Sequence, residues 1–424
     1  MKPERLTAIF FLSVIAGLMV LVPVTFVINQ VNKLSAVHEA VNINIDWSKL
    51  YPFKYSDRYI PKAKSGSLAE QIKFKVEEYY SKNIASYHML AEAGKKYEDF
   101  IGWNMAYSGS YNPVIKLHED YLVTLTPYEH TASISKNAEE VTQLAEFCRN
   151  IGTDFLYIHL PGKVCPLSDE SISGILDYSN QNADRLLQSL AASGVRTCDL
   201  RIMLHADSMN HHDAFYRTDH HWKAETGLWA AKHILKILRE NYSWNVEPEI
   251  LAPKNFDRVV YPEWFLGSQG KKMTLARTKP DDFSMLYPKY ETLIHYEIPS
   301  KRVNISGDFR VTYNMSQVLS KDYYGKTPYR AYNFSDKPSA STHNFLNNSG
   351  KKILIVHDSF GNSVVPFLAM GIEDTEEIDV RYFTGSLRTY ITVNSPDLVI
   401  VMYDLGNVGL IEPNSTLRNQ YDFR

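Results

Sequence analysis

The residues with the clearest chemical potential in this chain are Asp219, His221 and Ser359. Asp219 stands two positions before His221 in Tyr216-Arg217-Thr218-Asp219-His220-His221-Trp222. A carboxylate so placed can hold one imidazole nitrogen while the other nitrogen faces a nucleophile, which fixes the tautomer and stabilises the ring when it takes a proton. Ser359 ends the apolar, β-branched run Ile353-Leu354-Ile355-Val356-His357-Asp358, ahead of a helix-like segment. In a strand–turn–helix context a Ser hydroxyl is exposed at the carboxyl end of a strand. Together the three residue types suit acyl transfer: Ser359 attacks, His221 is the base and Asp219 orients it. The backbone N–H of Ser359, at the positive end of a helix, is a candidate donor to the oxyanion.

Two motifs carry a family resemblance. Asp219-His220-His221-Trp222 matches the motif that names the bacterial DHHW proteins, and Asp358-Ser359-Phe360 resembles the nucleophile block of SGNH hydrolases. In this order, over roughly residues 95–410, they resemble the SGNH hydrolase-like domain of the alginate O-acetylation proteins AlgX and AlgJ. Ordinary SGNH hydrolases place the Ser block first, so the order here resembles the circularly permuted alginate branch. His357 departs from the pattern, standing where the family has the Gly of Gly-Asp-Ser. The resemblance implies an oxyanion hole completed by a Gly backbone and an Asn side chain. Gly267 and Asn407 are the candidates, with Asn362 as a rival to Asn407. It also implies a polysaccharide acceptor and a multipass membrane O-acyltransferase as partner on the donor side. Lys163, in Pro161-Gly162-Lys163, resembles a family position, although as a residue type it reads as a solvated surface Lys.

Other chemistries leave weaker traces. His205, Asp207, His211, His212, Asp213, Asp219, His220 and His221 are all potential metal ligands, but no His-x₃-His helical pair or Cys partner organises them. No metal and no cofactor is therefore assigned, and there is no Gly-rich phosphate loop. A net charge of −3 gives no reason to expect nucleic acid as a partner. The three Cys permit one disulfide at most and read as packing residues. His220 is expected to point its ring away from His221, and Trp222 to pack against the sheet.

Positioning Asp219, His221 and Ser359 falls to a βα rhythm. Asp154–Leu160, Val195–Leu200, Ile353–Val356, Ile378–Phe383 and Leu398–Tyr403 read as strands, the first as one buried on both faces. Residues 139–149, 182–193 and 223–240 carry apolar residues at helical spacing. Strands alternating with helices predict a three-layer, mostly parallel α/β fold of SGNH hydrolase-like (flavodoxin-like) type, with its site beyond the carboxyl ends of the strands. Residues 245–350, rich in Tyr, Pro and Asn, read as a large, β-rich insertion walling the substrate side. Upstream, Thr7–Ile28 runs 22 residues without a charge behind Lys2 and Arg5. That is long enough for a single membrane-spanning helix with a cytoplasmic N-terminus; a cleaved signal peptide is the rival. The expected plan is an anchor over 1–32, a stalk or N-terminal lobe over 33–100 and the SGNH-like domain over 101–424. The functional expectation is an extracytoplasmic serine esterase or O-acetyltransferase acting on a cell-envelope or exported polysaccharide. The alternatives are a non-catalytic polysaccharide-binding or assembly component, and a metal-dependent hydrolase.

Overall fold

A computed structural model describes residues 105–106, 114–117, 120–126, 129–165, 177–409 and 417–424. Asn104–Arg424 form one compact unit. The candidate membrane span Thr7–Ile28 and the 33–100 segment lie outside the described residues. Among the described residues no helix is long and apolar enough to cross a membrane.

Thirteen described strands are β1 (Met105–Ala106), β2 (Val114–Lys116), β3 (Leu122–Thr124), β4 (Asp154–His159), β5 (Thr197–Asp199), β6 (Phe256–Phe265), β7 (Asp281–Pro288), β8 (Ile294–Ile298), β9 (Val303–Gly307), β10 (Ser339–Asn344), β11 (Lys352–His357), β12 (Asp374–Ile378) and β13 (Leu398–Tyr403). Eight of them form one sheet in the order β5-β4-β13-β11-β12-β10-β8-β9. Pairing is parallel from β5 to β12 and antiparallel from there to β9. The four helices that cover the sheet are α1 (Thr131–Asn150), α2 (Ser179–Ala192), α3 (Ala224–Asn241) and α4 (Leu387–Asn394).

Alternate side chains of a strand face opposite sides of a sheet, and here each side buries its own core. Leu354, Val356, Val399 and Val401 pack with α1, α2 and α4 through Val141, Leu144, Leu190 and Ile391. Ile353, Ile355, Leu398 and Ile400 pack with α3 through Leu228, Ala231, Leu235 and Leu238. The central strands are therefore apolar on both faces, as buried parallel strands must be.

Two expectations change. Within the insertion, β8, β9 and β10 extend the main sheet, so it is mixed rather than mostly parallel. In the same insertion β6 and β7 pair separately from that sheet, as an antiparallel ribbon, and their Phe256, Phe265, Phe283 and Met285 join the core on the α3 side. The strand expected at Ile378–Phe383 instead runs Asp374–Ile378. Glu376 and Glu377 hid it, because each charge finds a partner only in the folded chain, Lys352 and Lys337 respectively.

Candidate active site

The loop bearing Asp219 and His221 is closed by an isolated β-bridge between Phe215 and Trp222, and by the Tyr216 N–H donating to the His221 carbonyl at 3.2 Å. Asp281, at the start of β7, ties it from within. It accepts from the Arg217 N–H (3.0 Å), the Thr218 N–H (2.8 Å) and the Thr218 hydroxyl (2.6 Å). Trp222 is fully buried and its indole N–H donates to the Phe360 carbonyl at 3.1 Å, linking this loop to the turn after β11. That turn, Ser359–Ser363, is 3₁₀ and begins at Ser359. Asp358 caps it by accepting from the Phe360 N–H, a side-chain cap on otherwise orphan donors.

These elements bring Asp219, His221 and Ser359 together across 138 residues of chain between His221 and Ser359. His221 Nδ1 lies 2.5 Å from Asp219 Oδ1, and His221 Nε2 lies 2.8 Å from Ser359 Oγ. Asp219 Oδ1 also accepts the His221 backbone N–H at 3.1 Å, and Oδ2 accepts the Ser268 N–H at 2.6 Å. With every contact a donor, Asp219 is built to be an anion. Burial alone would raise its carboxyl, but the two adjacent imidazoles and these hydrogen bonds outweigh it and hold the group well below the usual carboxylate range. Asp219 is 2% and His221 8% exposed, while Ser359 is half-buried, so the Ser359 end is the one that faces solvent.

Gly267 donates its N–H to the Thr218 hydroxyl at 2.9 Å. Its missing side chain serves another purpose, since a Cβ there would collide with Asp219. The glycine lets the 267–268 backbone come close enough for Ser268 to donate to Asp219. Asn362 is buried and its amide donates to Asp336 at 3.0 Å. Asn407 is half-buried and adjoins the nucleophile block, donating to Asp358 Oδ2 at 3.1 Å, which leaves it a second amide hydrogen.

Other residues fall differently from expectation. His220 does not turn away: its ring lies 3.8 Å from that of His221 and its Nδ1 meets the Ser268 hydroxyl at 3.1 Å. Lys163 is not a solvated surface residue but is 9% exposed. Its ammonium donates to the Arg217 carbonyl (2.9 Å) and Gln269 Oε1 (3.1 Å) and sits over the Tyr121 ring. Burial pushes it down to about 7, against partial support from Asp281 and Asp219. Tyr329 was invisible among the chain's 28 tyrosines. Its ring stacks on His221 at 3.9 Å and 14°, and its hydroxyl meets the Ser359 carbonyl (3.1 Å) and Ser363 Oγ (3.2 Å). Only a Pro-Tyr pair inside the insertion marks it, and that is no signal of chemistry.

Several of the candidate metal ligands hold other partners. Asp219, His220 and His221 present donor atoms within 4.8 Å of one another, yet both His221 nitrogens and both Asp219 oxygens are already engaged. Asp207 holds Trp229 and His233, and His211 Nε2 meets the Gly162 carbonyl. The cysteines form no disulfide; Cys148 is buried in the core, and Cys165 and Cys198 are half-buried.

Residues 120–257 match the family model described as SGNH hydrolase-like domain, acetyltransferase AlgX. No curated protein matches the chain by sequence. Among solved structures, Bacillus cereus PatB1 with a sulfonyl adduct aligns at a TM-score of 0.61 and 18% identity, over 74% of this chain and 99% of that one. A DHHW family protein from Eubacterium siraeum aligns at a TM-score of 0.52 and 17% identity, over 73% of this chain and 95% of that one. The O-acetyltransferase domain of Pseudomonas putida AlgJ aligns at a TM-score of 0.44 and 12% identity, over 70% and 92%. The chain thus resembles the SGNH hydrolase-like domain of the acetyltransferase AlgX through residues 120–257, and shares its α/β fold with PatB1 and a DHHW family protein.

Proposed function

We propose that this protein is a serine esterase or O-acetyltransferase working through an acyl-Ser359 intermediate. The observation that carries this reading is the unbroken relay from Asp219 Oδ1 to His221 Nδ1 (2.5 Å) and from His221 Nε2 to Ser359 Oγ (2.8 Å). Ser359 Oγ attacks the carbonyl carbon of an O-acyl ester as its proton passes to His221 Nε2, and negative charge gathers on the carbonyl oxygen. Collapse restores the carbonyl and breaks the bond to the donor oxygen, which leaves with the proton from His221. An acceptor hydroxyl, or water, then gives its proton to His221 and attacks the acyl carbon. The second collapse returns that proton to Ser359 Oγ. Asp219 stays ionised and stabilises the imidazolium throughout. The Ser359 N–H and the second amide hydrogen of Asn407 serve the oxyanion.

The acyl acceptor is a cell-envelope or exported polysaccharide, and acetyl arrives from a multipass membrane O-acyltransferase. The matched family model, an acetyltransferase domain, supports the acetyl group. The uncharged Thr7–Ile28 stretch behind Lys2 and Arg5 supports a membrane-anchored protein with its catalytic domain outside the cytoplasm.

The test is covalent capture. Full-length protein treated with an aryl sulfonyl fluoride should gain one adduct, located on Ser359 by peptide mass, and Ser359→Ala should gain none. A folded protein that takes no adduct and cleaves no acetyl ester would favour the non-catalytic polysaccharide-binding reading. Ester cleavage abolished by EDTA and restored by zinc would favour the metal-dependent one.

A further inference from the structure

His357 is where the chain departs from Gly-Asp-Ser, and the fold gives its imidazole a defined surrounding. The residue is 3% exposed. Its Nδ1 lies 2.6 Å from the Asp358 carbonyl oxygen and its Nε2 lies 2.8 Å from Glu377 Oε2. Glu377 Oε2 also receives the Lys337 ammonium at 3.0 Å and the Asn333 amide at 2.6 Å, so three donors hold it as a carboxylate. An imidazole with an acceptor at each nitrogen carries a proton on each. Directly behind the nucleophile, then, lies a buried cluster of an imidazolium, a carboxylate and an ammonium. The charged groups facing the ring are Glu377 from β12, Asp379 just past it, and Lys337 from the segment before β10. Residue 361 must be small here, because a Cβ on Gly361 would collide with the His357 ring.

The Asp358 carbonyl and the Ser359 N–H belong to a single planar trans peptide, in which C=O and N–H point in opposite directions. The carbonyl is drawn inward by His357 and by the Gly361 N–H (3.0 Å). The Ser359 N–H is thereby turned away from the buried cluster, and it has no hydrogen-bond partner among the described residues. A cationic donor on the carbonyl also polarises the peptide, which strengthens the N–H as a donor.

We infer that His357 is a positioning residue: as an imidazolium it holds and polarises the 358–359 peptide so that the Ser359 N–H meets the oxyanion. This rests on the acyl-Ser359 reading above. A merely structural role, joining β11 to β12 and to the 333–337 segment, would use the same contacts, so the test must separate the two ring nitrogens. His357→Asn puts an amide N–H near the place of Nδ1 and can still hold the Asp358 carbonyl. His357→Gln reaches the place of Nε2 and Glu377 but gives up the carbonyl. With acetyl-ester turnover normalised to folded protein, His357→Asn should keep kcat within about tenfold. His357→Gln should lose roughly 10²–10³ in kcat, the cost of an oxyanion donor, at little-changed KM. Equal losses in the two variants, or losses that appear in KM, overturn the inference. Should neither variant fold, ¹⁵N-histidine spectra of the unaltered protein at pH 7 still decide: both His357 nitrogens should be protonated, and a singly protonated ring overturns it. Ser359→Ala in the same assay keeps the layers apart. If it retains turnover, the acyl-enzyme itself fails; if it is dead while Gln equals Asn, only the role of His357 fails.

Discussion

Asp219→Asn removes one charge at nearly constant shape, and the contacts of Asp219 show why an amide cannot take its place. Oδ1 faces two donors, His221 Nδ1–H and the His221 backbone N–H, and Oδ2 faces a third, the Ser268 N–H. Asn has one acceptor oxygen and one NH₂ group. With NH₂ on the Oδ2 side, the Ser268 N–H loses its acceptor, at a cost of about 1–3 kcal/mol for a buried donor. With NH₂ on the Oδ1 side, His221 must move its proton to Nε2, which then faces Ser359 Oγ as a donor and cannot accept the hydroxyl proton. Either orientation also removes the anion that stabilises the imidazolium. The equivalent change in a known serine-protease triad costs about 10⁴ in kcat, or roughly 5 kcal/mol at about 1.36 kcal/mol per decade. Hydrolysis of a small acetyl ester, followed with kcat and KM resolved, should therefore fall by about four decades in kcat with KM within a few-fold. The melting temperature checks that the variant is folded. If folded Asp219→Asn keeps more than about a tenth of kcat, the carboxylate does not orient the base and the relay argument is wrong.

Four further predictions follow from the structure. Ser359→Ala and His221→Ala should each cost roughly 10⁴–10⁶ in turnover, and the double variant little more. His220→Ala should stay within about tenfold; if it kills activity while His221→Ala spares it, His220 is the base. Tyr329→Phe keeps the stack on His221 but frees the Ser359 carbonyl, worth about 1 kcal/mol. Tyr329→Leu also loses the stack, about another 0.5–1.5 kcal/mol, so kcat should order wild type, Phe, Leu, and equal rates in all three would deny Tyr329 a positioning role. Burial raises the Glu377 carboxyl, but Lys337 and His357 outweigh it and hold it at about 2 against an ordinary 4.5. A depressed acid stabilises the fold above its unfolded value and loses that contribution as pH falls from about 4.5 to about 2, on the order of 3 kcal/mol. Glu377→Gln should be less stable at pH 7 and show a shallower decline between pH 5 and 2 in urea unfolding; an unchanged slope would refute this.

What the sequence determined by itself was local. The Asp-x-His spacing needs no distant partner to be recognised, and the apolar run into Asp358-Ser359 is legible as a buried strand ending in a turn. The α3 stripe and β13 were equally plain, because a period of 3.6 and an unbroken apolar run are properties of a dozen neighbouring residues. What only the tertiary structure decided were the roles that depend on which distant segment packs where. Glu376 and Glu377 read as a break in a strand until Lys352 and Lys337 are brought to them. The Gly267 N–H finds its acceptor, the Thr218 hydroxyl, only in the folded chain. Lys163 looked solvated until the Arg217 carbonyl and Gln269 closed over it, and Tyr329 was one of many until the insertion laid it on His221. His357 was a mismatch in the sequence and is a buried imidazole held at both ring nitrogens in the fold. The physical reason is common to all five cases. The charge, exposure and hydrogen-bond state of a side chain are set by its surroundings, and those come from residues tens to hundreds of positions away.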